Sequence, residues 1–146
     1  MLRVLIVGQD RFAECLALRL EVFVEEQKVP FEEEEDGLDG ESTHFLAADG
    51  ELSVGTARLR IVNGDGKAER VAVRAAGRRG GVGRALMRAM EAEASRLGAH
   101  TMRLNAQVSA IPFYEALGYS AHGPEFDDAG IPHRAMQREL AARASC

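Results

Sequence analysis

Cysteine is nearly missing from this chain: two among 146 residues, Cys15 inside a helical pattern and Cys146 at the very end. That spacing supplies neither a metal-ligand set nor a disulfide framework, so the reading is no metal, no structural bridge and a reducing cytoplasm. Proline is scarce, at 4 against 15 glycines, with 46% hydrophobic and 28% charged residues. This is the composition of a soluble globular domain and excludes collagen-like and disordered classes. No apolar run approaches a membrane span. The opening MLRVLIVG is too short for a signal peptide's three parts, lacks a small-residue cleavage site and runs into QDRF, so it reads as a first strand. No internal repeat or linker interrupts the chain, which points to one domain over residues 1–146.

Positive charge is almost absent from residues 21–41, where ten acids meet only Lys28 for a net −9. The remainder is therefore +4 within a total of −5. From Arg70 to Arg88 the imbalance reverses, with six arginines and no acid. A total of −5 argues against a nucleic-acid binder, which needs cations to displace phosphate counterions. The basic stretch suits a small polyanion.

Phe12, Leu16, Leu20 and Phe23 recur at helical spacing, predicting a helix from about Asp10, a candidate cap, to Glu26. KVPFEEEEDGLDGEST reads as a loop. HFLAADGELSVGTARLRIV reads as two strands turning at Asp49-Gly50, and NGDG leads to a third, AERVAVR. A second helix follows, with Val82, Leu86, Met90 and Leu97 on one face, Ala89 and Ala94 between them, and Gly98 as its stop. TMRLNAQ is a strand, and SAIPFYEALGY a short helix with Ser109 as cap, Pro112 in its first turn and Gly118 at its end. YSAHGPEF and IPHRAMQREL close the chain as strands around DDAG. The order is β-α-β-β-β-α-β-α-β-β, an α/β chain with a mixed sheet.

The stretch GRRGGVGRALM, residues 77–87, joins a strand to a helix. A Walker loop would need Lys-Ser or Lys-Thr after its glycines, and none follows. A dinucleotide fingerprint begun at Gly81 meets Leu86 in its sixth place, and the next strand lacks the ribose-binding acid. Glycines that merely turn the chain would leave Arg78, Arg79 and Arg84 unexplained. What fits is Arg78-x-x-Gly81-x-Gly83, a bend whose bare backbone approaches an anion with its amides, aided by the helix dipole and the arginines. Such a corner can hold a diphosphate.

Arg78-x-x-Gly81-x-Gly83 after ERVAV resembles the coenzyme A loop of the GNAT-type N-acetyltransferase superfamily. VFVEEQKVPFEEEEDGLDGESTHFL at 22–46, LNAQ at 104–107, PFYEALGY at 112–119 and EFDDAGIPH at 125–133 resemble its ElaA/YjcF-like branch, in order over nearly the whole chain. The resemblance implies the GNAT acyl-CoA N-acyltransferase fold. It also implies acetyl transfer from acetyl-CoA to an amine, a small molecule or a peptide N-terminus, with no covalent enzyme intermediate. It places the phosphates on amides of Arg79, Gly80, Gly81, Val82, Gly83 and Arg84, and the pantetheine arm beside Val71, Ala72 and Val73, where a main-chain amide would stabilise the oxyanion.

On the same basis Tyr114 protonates the departing thiolate, and Asn105 binds the pantetheine where two strands splay. An attacking amine must lose a proton, and Glu69 is the first candidate base, on the reading that its side chain shares the face of Val71 and Val73. Glu26, His44 and His133 are its competitors on the acceptor side. The acidic segment 25–41 is either a solvated loop or the rim of a pocket attracting a cationic amine. A non-catalytic acyl-CoA sensor is the alternative class; a thiol enzyme built on Cys15 lacks a partnering histidine in any matching motif. The family occurs as monomer and as homodimer, and neither nucleic acid nor membrane is an expected partner.

Overall fold

The computed structural model describes residues 1–78 and 80–140; the readings made on Arg79 and Cys146 lie outside them. In chain order the elements are β1 (Leu2–Val7), α1 (Gln9–Arg19) running on as a π-helical turn (Leu20–Glu26), α2 (Phe31–Glu34), β2 (Thr43–Asp49), β3 (Leu52–Val62), β4 (Asp65–Val73), α3 (Val82–Arg96), β5 (Thr101–Gln107), α4 (Ile111–Ala116), β6 (Ser120–Asp128) and β7 (Ile131–Glu139). Apart from the added α2, this is the order read from the sequence. The strands form one seven-stranded sheet, β1-β2-β3-β4-β5-β7-β6. Every neighbouring pair is antiparallel except β4 and β5.

The near-continuous apolar runs of β2 and β3 are those of strands covered on both faces. Phe45 joins the cluster under α3 while the adjacent Leu46 joins that under α1, as a period of two requires. α3 supplies Leu86, Met87 and Met90, all fully buried, each contributing about 1.5–3 kcal/mol by leaving water. Gly98 ends that helix at φ +96° and Gly118 ends α4 at φ +98°, left-handed values that favour glycine.

Several local readings are corrected. Asp10 and Ser109 are not caps: the cap positions of α1 and α4 are Gly8 and Ala110, with no side-chain cap bond at either. Leu97 is exposed and Met87 takes its place in the core. The buried positions in the first helix and its π turn are Cys15, Leu18, Arg19 and Val22. A spacing argument that counts only apolar residues misses the buried Arg19, and a π turn shifts the face. The segment read as a loop folds into α2 and a 3-10 turn at Asp39–Glu41.

Candidate active site

β4 and β5 pair for only three residues, Gly66–Ala68 against Met102–Leu104. Beyond Ala68 they part, and among the described residues no strand takes up the edge of β4 from Glu69 to Val73. Two features hold the fork open. β5 keeps its ladder to β7 as far as Gln107 opposite His133. On the other side, Thr56 faces Ala72 and Arg58 faces Glu69, so Arg70 and Val71 oppose Ala57 alone. This is a β-bulge with Arg70 at φ +53°, a left-handed value that strains a non-glycine by about 1–2 kcal/mol. The Arg70 guanidinium ties the bulge down, 3.1 Å from Asp36 and 3.2 Å from Glu34.

The bulge overturns one expectation. An extra residue between Glu69 and Val71 reverses the alternation, so Val71 and Val73 pack into the α3 cluster while Glu69 lies on the other face with Arg58, its cross-strand partner. The valine side chains are therefore core while their backbone edge borders the fork. A groove of about 600 Å³ opens there, bordered by Glu69, Val71, Val73, Arg78, Asn105 and Tyr114 among others.

At one end of the groove the chain leaves β4, makes a 3-10 turn at Ala75–Gly77 and enters α3 through Gly81 at φ +80°. No side chain caps α3, so the amides of its first turn keep their donors. A Cβ on Gly83 would stand 3.0 Å from the Phe113 ring and a Cβ on Gly80 3.3 Å from the Gly77 carbonyl, so glycine lets this corner pack closely. A bare helix start beside an open strand edge fits a ligand with a diphosphate at one end and an amide-bearing arm behind it. The exposed Arg78 borders the same space, donating to Glu26 at 2.6 Å and to the Val73 carbonyl at 3.0 Å.

α4 brings Tyr114 to the other wall. Its ring packs edge-on against Phe113 at 4.9 Å and Tyr119 at 6.0 Å between centroids. Burial pushes the phenol up to about 12, so it stays protonated at neutral pH. Tyr119 behind it donates to Glu91 at 2.6 Å, and Glu91 also accepts from Arg88 and Arg138 at 2.8 Å each. Asn105, expected at the splay, does line the groove.

The acidic segment is less solvated than its charge suggests. Glu34 is buried and grips Arg19 through two hydrogen bonds, 2.7 and 3.0 Å. Asp39 accepts from Arg19 at 2.8 Å and Arg58 at 3.0 Å. Asp36 accepts from Arg58 at 2.7 and 2.9 Å. Arg58, with no exposed surface, also donates to Glu69 at 2.9 Å. Glu69 further accepts from Arg60 at 2.7 and 3.0 Å, with Lys67 at 3.5 Å.

Burial alone would raise the Glu69 and Asp39 carboxyls; for Glu69 the guanidiniums of Arg60 and Arg58, and for Asp39 those of Arg19 and Arg58, outweigh it and hold both below the usual range. The hydrogen bonds from Arg58 likewise lower Asp36. Sequence reasoning missed Arg19 and Arg58 and assigned Arg70 to a polyanion rather than to Glu34 and Asp36, although −9 over residues 21–41 in a chain otherwise at +4 was the signal that counter-charges had to lie elsewhere.

The remaining candidates separate. Glu26 and His133 border the groove. The His133 Nδ1–H donates to the Ile131 carbonyl at 2.7 Å and its ring stacks on Phe126. His44 does not line it: that ring is buried edge-on to Phe12, and its Nε2–H donates to the Asp39 carbonyl at 2.9 Å. Gln27 and Gln107, absent from the sequence reading, join the π turn to β5 by a 2.8 Å hydrogen bond.

Comparison with known proteins agrees with this geometry. Residues 11–140 match the family model of an acetyltransferase (GNAT) domain. The uncharacterised N-acetyltransferase YjcF of Bacillus subtilis strain 168 is 44% identical over 140 residues, covering 95% of this chain and all of that protein. Among solved structures, an acyl-CoA N-acyltransferase from Pseudomonas aeruginosa is 30% identical, with a TM-score of 0.80 over 94% of this chain and 98% of that one. Escherichia coli ElaA is 27% identical, with a TM-score of 0.81 over 95% and 99%. A groove built from a forked sheet and an uncapped helix start, in a chain matched over nearly its whole length, makes this protein a member of the GNAT family of acetyl-CoA-dependent acetyltransferases.

Proposed function

We propose that the chain transfers an acetyl group from acetyl-CoA directly to a primary amine, on a small molecule or a peptide N-terminus. The observation that carries this is the fork. An unpaired β4 edge from Glu69 to Val73 runs from the uncapped start of α3 to the wall bearing Tyr114. The amides of Gly80 to Arg84 hold the phosphates. The backbone of Val71 to Val73 pairs with the arm as a strand would and polarises the thioester carbonyl, and Asn105 steadies the arm from β5.

The amine nitrogen attacks the carbonyl carbon, the carbon–sulfur bond breaks, and the sulfur leaves with the proton of the Tyr114 hydroxyl, which regains one from water in balance with the proton the amine releases. In direct transfer the amine itself is the nucleophile, and no serine, threonine or cysteine borders the groove among the described residues. Cys15 is buried on the sheet-facing side of α1, 3.8 Å from the Phe45 carbonyl, and burial raises its thiol. Glu69 stands beside the acceptor's approach, kept ionised by Arg58, Arg60 and Lys67. Such a carboxylate organises water at the amine better than it takes the proton itself, so the proton leaves through water in the open groove. His133 stands at the same approach, whereas Glu26 is held by Arg78 nearer the start of α3; His44 acts behind it, fastening the Asp39 turn.

Thiol release from acetyl-CoA across a panel of polyamines, amino sugars, aminoglycosides, amino acids and peptides tests the reading. Amine-dependent release with stoichiometric N-acetylated product is expected. Tight coenzyme A binding with no amine-dependent release would instead mark a sensor of the donor.

A further inference from the structure

Three basic residues lie directly opposite one another across neighbouring strands: Arg60 on β3 faces Lys67 on β4, which faces Arg103 on β5. Like charges so placed repel and weaken a sheet. The row lies on the face away from α3, because the alternating neighbours Gly66, Ala68, Met102 and Leu104 are buried. It also lies just below the fork, whose last paired residues are Ala68 and Leu104.

Two grooves meet on this row. Arg60 and Lys67 border the larger one, and Lys67 and Arg103 border a second of about 220 Å³. The carboxylates nearby leave donors free. Lys67 approaches Glu69 at 3.5 Å and Arg103 approaches Asp65 at 3.6 Å, and neither cation makes a side-chain hydrogen bond among the described residues. Glu69 is already shared with Arg58 and Arg60. At the upper end of the larger groove the lining includes Glu33 and Asp128, acids that suit an amine. The acceptor's space therefore carries acids beside the fork and cations beneath it, among apolar side chains such as Phe23 and Leu38.

We infer that the acceptor is an amine carrying an anionic group, carboxylate or phosphate, at its far end, and that Lys67 and Arg103 bind that anion. The inference rests on the acetyltransferase reading and names its substrate class. The bulge sets Val71 level with Ala57, three residues from Arg60, so at about 3.3 Å per residue Lys67 and Val71 are roughly 10 Å apart along the sheet, and a lysine reaching upward leaves roughly 4–7 Å between anion and amine. An ω-amino acid of about four to six carbons, or a short acidic peptide, spans that distance; an α-amino acid does not.

The test uses acetylated product mimics, so that it needs neither turnover nor donor. Binding of 6-acetamidohexanoate, 6-acetamidohexyl phosphate, neutral N-hexylacetamide and cationic N-acetyl-1,6-diaminohexane is measured by calorimetry. The proteins are the full chain and its Lys67→Gln/Arg103→Gln variant, whose changes fall on solvent-accessible side chains. The chain is expected to bind at least one anionic probe about tenfold more tightly than the neutral one, the worth of a charge-assisted hydrogen bond or two. The variant loses that difference, and the tighter of the two anionic probes names the group. Equal binding of anionic and neutral probes, a preference for the cationic probe, or a preference that survives in the variant would each overturn the inference. Coenzyme A binding on the same samples is scored separately: its loss would remove the donor reading, whereas its retention without anion discrimination would remove only this one.

Discussion

Replacing Tyr114 by Phe is expected to lower kcat by about 10²–10⁴-fold, the usual contribution of a positioned general acid, while the Kd for acetyl-CoA stays within about twofold. The change keeps the ring packing against Phe113 and Tyr119. It also orphans no partner, since the phenol bonds to no other described side chain. Burial raises this phenol to about 12, about 3.5 units above an ordinary thiol, which would cost about 5 kcal/mol if the sulfur stayed in water. The sulfur leaves inside the same groove, where desolvation raises its own proton affinity and narrows the gap. A raised phenol is thus a reserve of proton held for a desolvated leaving group. Single-turnover rates with a saturating acceptor decide the matter, and an unchanged kcat would take Tyr114 out of the mechanism.

Arg58→Met is the second large effect. Arg58 is the buried hub facing Asp36, Asp39 and Glu69, and removing one partner leaves those carboxylates uncompensated, at about 3–5 kcal/mol. For a domain of this size that corresponds to a fall of about 10–15 °C in Tm. A Tm within about 2 °C of the parent would contradict the network's role. The same network sets the acid limb. Asp36, Asp39 and Glu69 are all lowered in the folded state, so the stability they add is complete above the unfolded carboxyl range near pH 4. It is lost as pH falls through their folded values. Urea midpoints should be level above about pH 5 and decline below about pH 4.

How much of this was legible in the sequence follows from where each feature is encoded. The corner at Gly81 could be read because clustered glycines and arginines between a strand and a helix mark bare backbone beside an anion, and its φ of +80° favours glycine; the helix behind it could be read because Val82, Leu86, Met90 and Ala94 keep its period. Tyr114 and Asn105 were found through segments resembling a family, and the groove holds both. The fork could not be read: it depends on where pairing between β4 and β5 stops and on a bulge at an arginine, which no local pattern announces. That bulge is why Glu69 faces away from Val71 and Val73.

Of the two readings offered for the acidic segment, a solvated loop and a pocket rim, the solvated loop fails for a related reason. A run of glutamates and aspartates looks solvated until Arg19, Arg58 and Arg70, distant in sequence, are brought beneath it. His44 was singled out as a titratable group near the site; its chemistry is instead spent fastening the Asp39 carbonyl. Residue type marks what can react, whereas pairing distance decides what faces the groove.

Calorimetric titration of the protein with coenzyme A, in parallel with the dephospho form, bears most directly on the forked groove and its uncapped helix. One-to-one binding that raises the Tm, retained by the dephospho form because it keeps the diphosphate and the arm, is what the structure predicts. No heat and no change in Tm at saturating coenzyme A would contradict it.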